Sequence, residues 1–370
     1  KANEASEPFL FSGWTNRCGW GKNEGNQPVN FTFEIDEAGN NEWKTLKSVT
    51  VNAGKATSVP FLSTERGEWI RVKTDKNTMA TVSFNYTSPD IRSTSSDSIY
   101  KGLTTVDKTT TTGGLLYGLG DNRRALGLLA NVTVDGKISE TGYYEMGDKL
   151  ELIRKEDAKT ADLIRSKFAI PQQVISIEES SVLVVDDLGR RWRLPLGNET
   201  YKKLTDQGVL RICREVATER DLFSCMGTFY ELPAENADGY AKIRPVSTHN
   251  YRINDYASYR GMLVLTGVTP EDGKENPHVV ISDDGKAAVW VGVIDDLWTL
   301  GKPVGQGGPW KDTDVKTDVA SDPYLIAFYD KKELSLSHRS DKNVVITVEV
   351  DPTGNGDWME YASYTVKPGE

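Results

Sequence analysis

The chain has 370 residues, 44 Lys and Arg against 54 Asp and Glu, and a formal net charge of -10, a balance that argues against a nucleic-acid phosphate backbone as partner. No apolar run is long enough to span a bilayer, so no membrane span is expected. The three cysteines, Cys18, Cys213 and Cys225, cannot all pair within one chain and lack zinc spacing, so they read as small buried side chains and no metal ligand set is expected.

The first element is the apolar run Phe9-Leu10-Phe11, followed by a strand-like stretch near Cys18. Phe31, Phe33 and Ile35 then alternate with Thr32 and Glu34, which gives a pleated strand one apolar and one polar face. An Asp-x-x-Gly-Asn turn follows, and Trp43 to Val51 returns as the second arm of a hairpin. This unit recurs at the end of the chain at a constant offset of 315 positions, without a gap. Ser6-Glu7-Pro8-Phe9-Leu10 reappears as Ser321-Asp322-Pro323-Tyr324-Leu325, residues 29–36 as 344–351, and Gly39, Trp43 and Ser48 as Gly354, Trp358 and Ser363. With a stretch near Leu336 answering that near Cys18, each copy offers about four short strands, the size of one β-propeller blade. Asp351 to Asp357 resembles part of a calcium loop but lacks its full ligand spacing and distal Glu; a hairpin turn is the stronger reading, with structural calcium as the alternative and no other cofactor expected.

Between the copies, the Ser/Thr-rich stretch from Ser93 to Thr112 reads as a long surface loop. Asp157 to Lys167 and Glu199 to Asp206 are the two short helices expected. A turn bearing Gly leads into Trp four times: Gly39 to Trp43, Gly189 to Trp192, Gly285 to Trp290 and Gly354 to Trp358. Blades near 6–55, 57–105, 112–160, 165–215, 220–270, 276–320 and 321–370 would make residues 1–370 a single all-β domain, a seven-bladed β-propeller whose similar blades, 6–55 and 321–370, meet where the ring closes. Five or six blades would serve as well, and the rival architecture is a pair of tandem β-sandwiches joined through Ser93 to Thr112. The polar start at Lys1 looks trimmed, and the second copy stops at Glu370 where the first runs on through Trp69 to Tyr86, which points to further residues.

The densest polar and aromatic cluster lies between Arg211 and Arg260. Its candidates for catalysis are His249, Arg252, Asp255, Tyr259, Glu215 and Glu231. Those for substrate binding are Arg260, Arg220, Arg244, Tyr230 and Asn250, joined by Trp298 and Trp310 from the loop rich in Gly and Trp near 305–312. Sugar sites need such residues, because aromatic faces stack on pyranose CH groups, Arg and Asn fork onto hydroxyls or carboxylates, and His, Tyr or a carboxyl pair moves protons. His249 and Arg252 are expected to face a central funnel, with His249 near its ordinary pKa. Trp14 to Arg17 and Asp121 to Arg124 are weaker additions, and His278 and His338 read as packing residues.

Ser282 to Trp290 looks like the Asp-box of sialidase-type propellers with its glycine one residue early. Phe223 to Glu231, Arg244 to His249, Ser282 to Trp290 and Gly307 to Asp312 together resemble a group of uncharacterised secreted proteins of polysaccharide-degrading bacteria of the Bacteroidetes and Planctomycetes type. More broadly the chain is similar to propeller glycoside hydrolases and polysaccharide lyases. The resemblance implies a periplasmic or secreted, monomeric enzyme that cleaves glycosidic bonds in a polysaccharide or oligosaccharide. Hydrolysis would draw its two carboxyls from Glu215, Glu231 and Asp255; β-elimination on a uronate would use His249 or Tyr259 as base beside Arg252 or Arg260. The alternative outside enzymes is a glycan-binding platform stacking sugar on Trp20, Trp298, Trp310 and the Tyr cluster.

Overall fold

The computed structural model describes residues 1–120, 124–217 and 220–369. Antiparallel strands in several small sheets, none of them closed, make an all-β protein. The chain falls into two compact units, residues 1–90 with 333–370 and residues 91–332, where the collinear repeat suggests one ring.

In the first unit, β1 (Phe9–Leu10), β2 (Asn16–Asn23), β3 (Val29–Asp36), β4 (Trp43–Val51), β5 (Ala56–Phe61), β6 (Trp69–Thr74) and β7 (Ala80–Thr87) form two sheets, ordered β1-β6-β3-β4 and β5-β2-β7. Phe31, Phe33, Ile35 and Val72 from the first sheet share one core with Val59, Phe61 and Phe84 from the second. Phe33 meets Phe61 edge-on at 5.8 Å between ring centroids, the arrangement aromatic quadrupoles favour. Two sheets closed over a common core are a β-sandwich. The expected blade at 6–55 is therefore not one sheet, because β2 pairs with β5 and β7 while β3 pairs with β4 and β6. Alternation tells which face of a strand is buried; it does not name the neighbour that shares the sheet.

The second unit holds β8 (Thr111–Gly118), β9 (Leu126–Val134), β10 (Lys137–Met146), β11 (Leu152–Lys155), α1 (Ala158–Lys167), β12 (Ser176–Ile177), β13 (Val182–Val185), β14 (Arg191–Leu194) and α2 (Thr200–Asp206). After them come β15 (Cys213–Ala217), β16 (Arg220–Cys225), β17 (Thr228–Pro233), β18 (Arg244–Thr248), β19 (Tyr256–Tyr259), β20 (Met262–Leu265), α3 (Pro270–Gly273), β21 (Val279–Ile281) and β22 (Ala288–Gly292). The four sheets are β11-β10-β9-β8, β12-β13-β14, β15-β16-β17-β18 and β19-β20-β22-β21. Both helices stand where the sequence placed them; Asp157 caps α1 by accepting from the Thr160 amide at 3.0 Å, as an N-cap acid should. The Ser/Thr-rich stretch is pinned rather than loose, with the Thr104 amide on the Gly267 carbonyl at 2.8 Å and the Arg252 amide on the Thr104 carbonyl at 2.7 Å. The Asp-box-like segment forms the β21–β22 turn. Its Asp284 carboxylate accepts from Ser282 Oγ, the Lys286 amide and Tyr144 Oη; burial alone would raise its pKa, but these donors hold it down at about 2.

The last segment, in the first unit, contributes β23 (Val344–Val350) and β24 (Met359–Val366), a two-stranded antiparallel hairpin. It reproduces β3–β4 down to its hydrogen bonds. The register shift between Phe33 and Glu34 recurs between Val348 and Glu349. The Thr32–Ser48 hydroxyl pair, 3.1 Å apart, recurs as Thr347–Ser363 at 3.0 Å. The Asp36 carboxylate accepts the amides of Ala38, Gly39, Asn40 and Asn41, and Asp351 those of Thr353, Gly354, Asn355 and Gly356. The motif that resembled a calcium loop thus ties its acidic residue into the backbone of the turn, and Gly39 and Gly354 take the left-handed φ, 70° and 64°, that this turn requires. The rest of the second copy departs from the first. No strand forms near Leu336, and Tyr324 sits in the other unit as a parallel bridge to Arg193.

Candidate functional site

The first strands of three sheets in the second unit, β8, β15 and β19, approach one another, and an open cleft lies at their ends. One lobe, of about 430 Å³, is lined by Gly118, Leu119, Arg124, Ala125, Ser258, Tyr259 and Arg260. The adjoining lobe, of about 180 Å³, shares Gly118 and Ser258 and adds Tyr117, Phe168, Arg214 and Glu215.

The chain folds this way for local reasons. Tyr259 ends β19 and Arg260-Gly261 makes a two-residue turn into β20, both residues at positive φ (51° and 79°), the conformation that tight hairpins need. The turn brings the Arg260 guanidinium back over Tyr259, where Nε donates to the phenol oxygen at 3.0 Å. The phenol in turn donates to the Arg124 carbonyl at 2.7 Å, which also accepts from Arg260 Nη2 at 3.3 Å. Among the described residues no carboxylate lies within ion-pair distance of the Arg124 or Arg260 side chain. In the second lobe Tyr117 and Phe168 are half-buried and packed with ring centroids 4.2 Å apart, so part of each ring stays open. Glu215 is exposed on β15 beside Arg214, whose guanidinium donates to the Tyr256 carbonyl at 2.9 Å and sits 3.4 Å from the Asp255 carboxylate. Burial pulls Arg214 below the usual guanidinium range.

Of the residues singled out from sequence, the structure brings Glu215, Tyr259 and Arg260 to this cleft. Asp255 is fully buried behind it, ion-paired with Arg211 Nε at 3.0 Å and accepting the Leu116 amide at 2.9 Å, so its carboxylate does not meet the cleft. Glu231 is ion-paired with Arg220 across adjacent strands. Tyr230 is wholly inside, its hydroxyl 3.3 Å from that of Tyr329. Arg244 covers the Phe328 ring at 5.0 Å, and exposed Asn250 accepts from Asn198 Nδ2 at 3.3 Å. Trp298 and Trp310 are exposed but line neither lobe; Trp298 carries Arg92 over its ring at 4.6 Å. Trp20 and Arg17 belong to the sandwich interior, Arg17 donating to the carbonyls of Phe11, Leu62 and Glu65. Asp121, Asn122, Arg123 and Glu219 lie outside the described residues. Sequence reasoning passed over Tyr117, Phe168 and Ser258, which look like ordinary strand and loop positions until the sheets converge.

His249 and Arg252, expected to face a central funnel, are both buried. His249 is 9% exposed, its Nδ1 accepts the Tyr251 amide at 3.1 Å, and Nε2 has no partner among the described residues. Burial pushes its pKa down to about 3, so near neutrality the ring is uncharged and has no imidazolium proton to donate. Arg252 is 4% exposed, with Nη2 3.4 Å from Thr133 Oγ1. A histidine that is neutral when folded but titrates near 6.5 when unfolded draws the chain toward the unfolded state as it protonates. Its contribution is intact above pH 6.5 and falls as pH drops toward 3. Between pH 6.5 and 4.5 it should account for a loss on the order of 2 kcal/mol. Denaturation of His249→Gln across this range should show a flatter pH dependence than the parent; equal slopes would remove His249 as the cause.

Among the described residues no three His, Cys, Asp or Glu side chains gather as a metal site, and no helix is long and apolar enough to cross a membrane. No protein-family model, curated protein or solved structure matches the chain.

Proposed function

We propose that the second unit binds a carboxylate-bearing glycan in the cleft between β8, β15 and β19. The observation that carries this reading is the pair of arginines, Arg124 and Arg260, that line one lobe, set beside the half-buried rings of Tyr117 and Phe168 at the other. Guanidinium forks match carboxylates bidentately, while sugar CH groups stack on aromatic faces. A cleft of this volume suits a short stretch of saccharide. The convergence of the first strands of three sheets favours a propeller-like radial arrangement of those sheets within residues 91–332, in place of seven blades over the whole chain. Hydrolysis is the weaker enzymatic reading, since it needs two carboxyls across the bond and Glu215 is the one carboxylate among the described lining residues. β-Elimination on a uronate is the second reading, favoured by the Tyr259 phenol lying 3.0 Å from Arg260 Nε, with Tyr259 as the base and Arg124 to neutralise the uronate carboxylate. A secreted or periplasmic setting belongs to the same proposal.

Calorimetry with polyuronate oligosaccharides and with neutral glucans of equal length tests it. Saturable binding should be confined to the uronates, and Arg260→Ala or Arg124→Ala should each weaken it by about 10- to 100-fold. Equal affinity for neutral chains, or indifference to both substitutions, would refute the assignment. Absorbance from an unsaturated uronide product would add the elimination step.

A further inference from the structure

Among the described residues four arginines are buried: Arg17, Arg193, Arg211 and Arg252. Three of them are supplied with acceptors. Arg17 donates to three carbonyls, Arg193 is ion-paired with Glu178 and Asp322, and Arg211 with Asp255. Arg252 is the most enclosed of the four, at 4% exposure, and its guanidinium has one contact among the described residues, Nη2 at 3.4 Å from the neutral Thr133 hydroxyl. Its Nε is buried without a partner. Burial pulls the group below the usual guanidinium range, and no carboxylate beside it pushes it back. A charge withdrawn from water and left without an anion is among the costliest arrangements in a protein interior.

The surroundings of this guanidinium suit an oxygen ligand. Thr111 and Gly113 on β8 pair with Thr133 and Asn131 on β9, and strand alternation puts all four on one face of the ladder. Arg252 meets that face at Thr133. Asn254, 7% exposed, meets it at Gly113, where a Cβ would stand 2.5 Å from Asn254 Oδ1 and 3.1 Å from Asn131 Oδ1, so glycine is what lets both amides approach. Asn254 Nδ2 donates to the Val209 carbonyl at 3.3 Å, which leaves Oδ1 as a second buried atom without a partner among the described residues. A cation with donors to spare and an acceptor without a donor therefore meet one polar face. Water supplies hydrogen bonds to such a pair but leaves the charge uncompensated. The glycan cleft is elsewhere: Gly118, which lines it, is at the opposite end of β8 from Thr111, about 20 Å along the strand.

We propose that this face holds a small oxyanion that keeps a proton, of the phosphate or hydrogencarbonate class. Its charged oxygens accept from the Nε and Nη2 edge of Arg252 and from the Thr133 hydroxyl, and its own hydroxyl donates to Asn254 Oδ1. The ion ties β9 to the segment that leads into β19.

The test takes the full 370-residue chain in an anion-poor zwitterionic buffer and titrates it by calorimetry with sodium phosphate or sodium hydrogencarbonate at constant ionic strength, with the melting temperature followed in parallel. Expected is saturable binding of at least one of the two with Kd below about 10 mM, and a melting temperature that climbs with its concentration; the tighter of the two names the ion. Sulfate and nitrate, which match them in shape but carry no proton near neutrality, should bind at least tenfold more weakly, because Asn254 Oδ1 then has no donor. Arg252→Met should abolish both the binding and the thermal response. Thr133→Val keeps the side-chain shape and should weaken binding about tenfold in a folded protein. No saturable binding up to about 10 mM, equal affinity for sulfate or nitrate, or unchanged binding in either variant would each overturn the proposal. Loss of binding in Arg260→Ala would overturn it too, by placing the ion in the cleft.

Discussion

Replacing Asp255 by alanine should destabilise the 91–332 unit by about 3–5 kcal/mol, the usual cost of removing one partner from a buried ion pair. The carboxylate is wholly enclosed, and each oxygen is used: Oδ1 by Arg211 Nε at 3.0 Å and the Tyr256 amide at 2.8 Å, Oδ2 by the Leu116 amide at 2.9 Å and Arg211 Nη2 at 3.2 Å. It therefore joins β8, the segment before β15 and the start of β19 at one point, and its loss strands two guanidiniums in a region poor in water. Asp255→Asn keeps the shape but not the charge and should recover only part of the loss. Chemical denaturation followed by circular dichroism reads the effect; a change under about 1 kcal/mol would mean that the arginines find other acceptors. The double variant Arg211→Leu with Asp255→Leu should cost less than Asp255→Ala alone, because no uncompensated charge remains on Arg211.

Trp290→Ala should cost a comparable 3–5 kcal/mol, the range for emptying a large aromatic site. Trp290 has no exposed surface, stacks on Tyr100 at 4.9 Å and on His278 at 5.5 Å, and donates from Nε1 to the Ile99 carbonyl at 2.7 Å. It thereby pins the segment around Tyr100 against β22. Trp290→Phe separates the two contributions, retaining most of the packing while leaving the Ile99 carbonyl without its donor, and should lie between parent and alanine variant. If the phenylalanine and alanine variants unfold at the same denaturant concentration, the hydrogen bond outweighs the ring.

The hairpins were legible because each carries its own instructions. Period-two alternation at Phe31, Phe33 and Ile35, an aspartate placed to collect four amides, and Gly at the left-handed position are all local, so both copies could be read and matched residue by residue. Sheet membership was not legible. β2 crosses to the opposite sheet although nothing in Asn16–Asn23 distinguishes it from a strand that would pair with β3, because that choice depends on β5 and β7. The cleft was half-legible for the same reason. Tyr259, Arg260 and Glu215 stood out by their chemistry, but Tyr117 and Phe168 acquire a role only where β8 and the end of α1 meet. His249 misled because its chemistry is that of a proton carrier, whereas its neighbours Tyr201, Phe229 and Tyr251 enclose it in aromatic surface.

The duplicated turn bears on how the sandwich assembles. In the second copy the Asp351 turn, the bulge and the hydroxyl pair all persist in a hairpin that, among the described residues, pairs β23 with β24 alone, so these features are encoded within the hairpin. In the first copy, closing β3 onto β4 joins adjacent segments, whereas adding β6 must first order the residues that carry β5, at a greater cost in chain entropy. The hairpin is thus suited to form early and to serve as a template, with β6 arriving afterwards. Arg71, whose Nε donates to the Glu34 carboxylate at 2.8 Å and whose guanidinium lies 4.2 Å from the centre of the Trp43 ring, settles between them as the last register check. A wrong register would leave the Glu34 carboxylate buried beside an apolar side chain, so the ion pair acts as a kinetic proofreader of the sheet as much as a source of its stability.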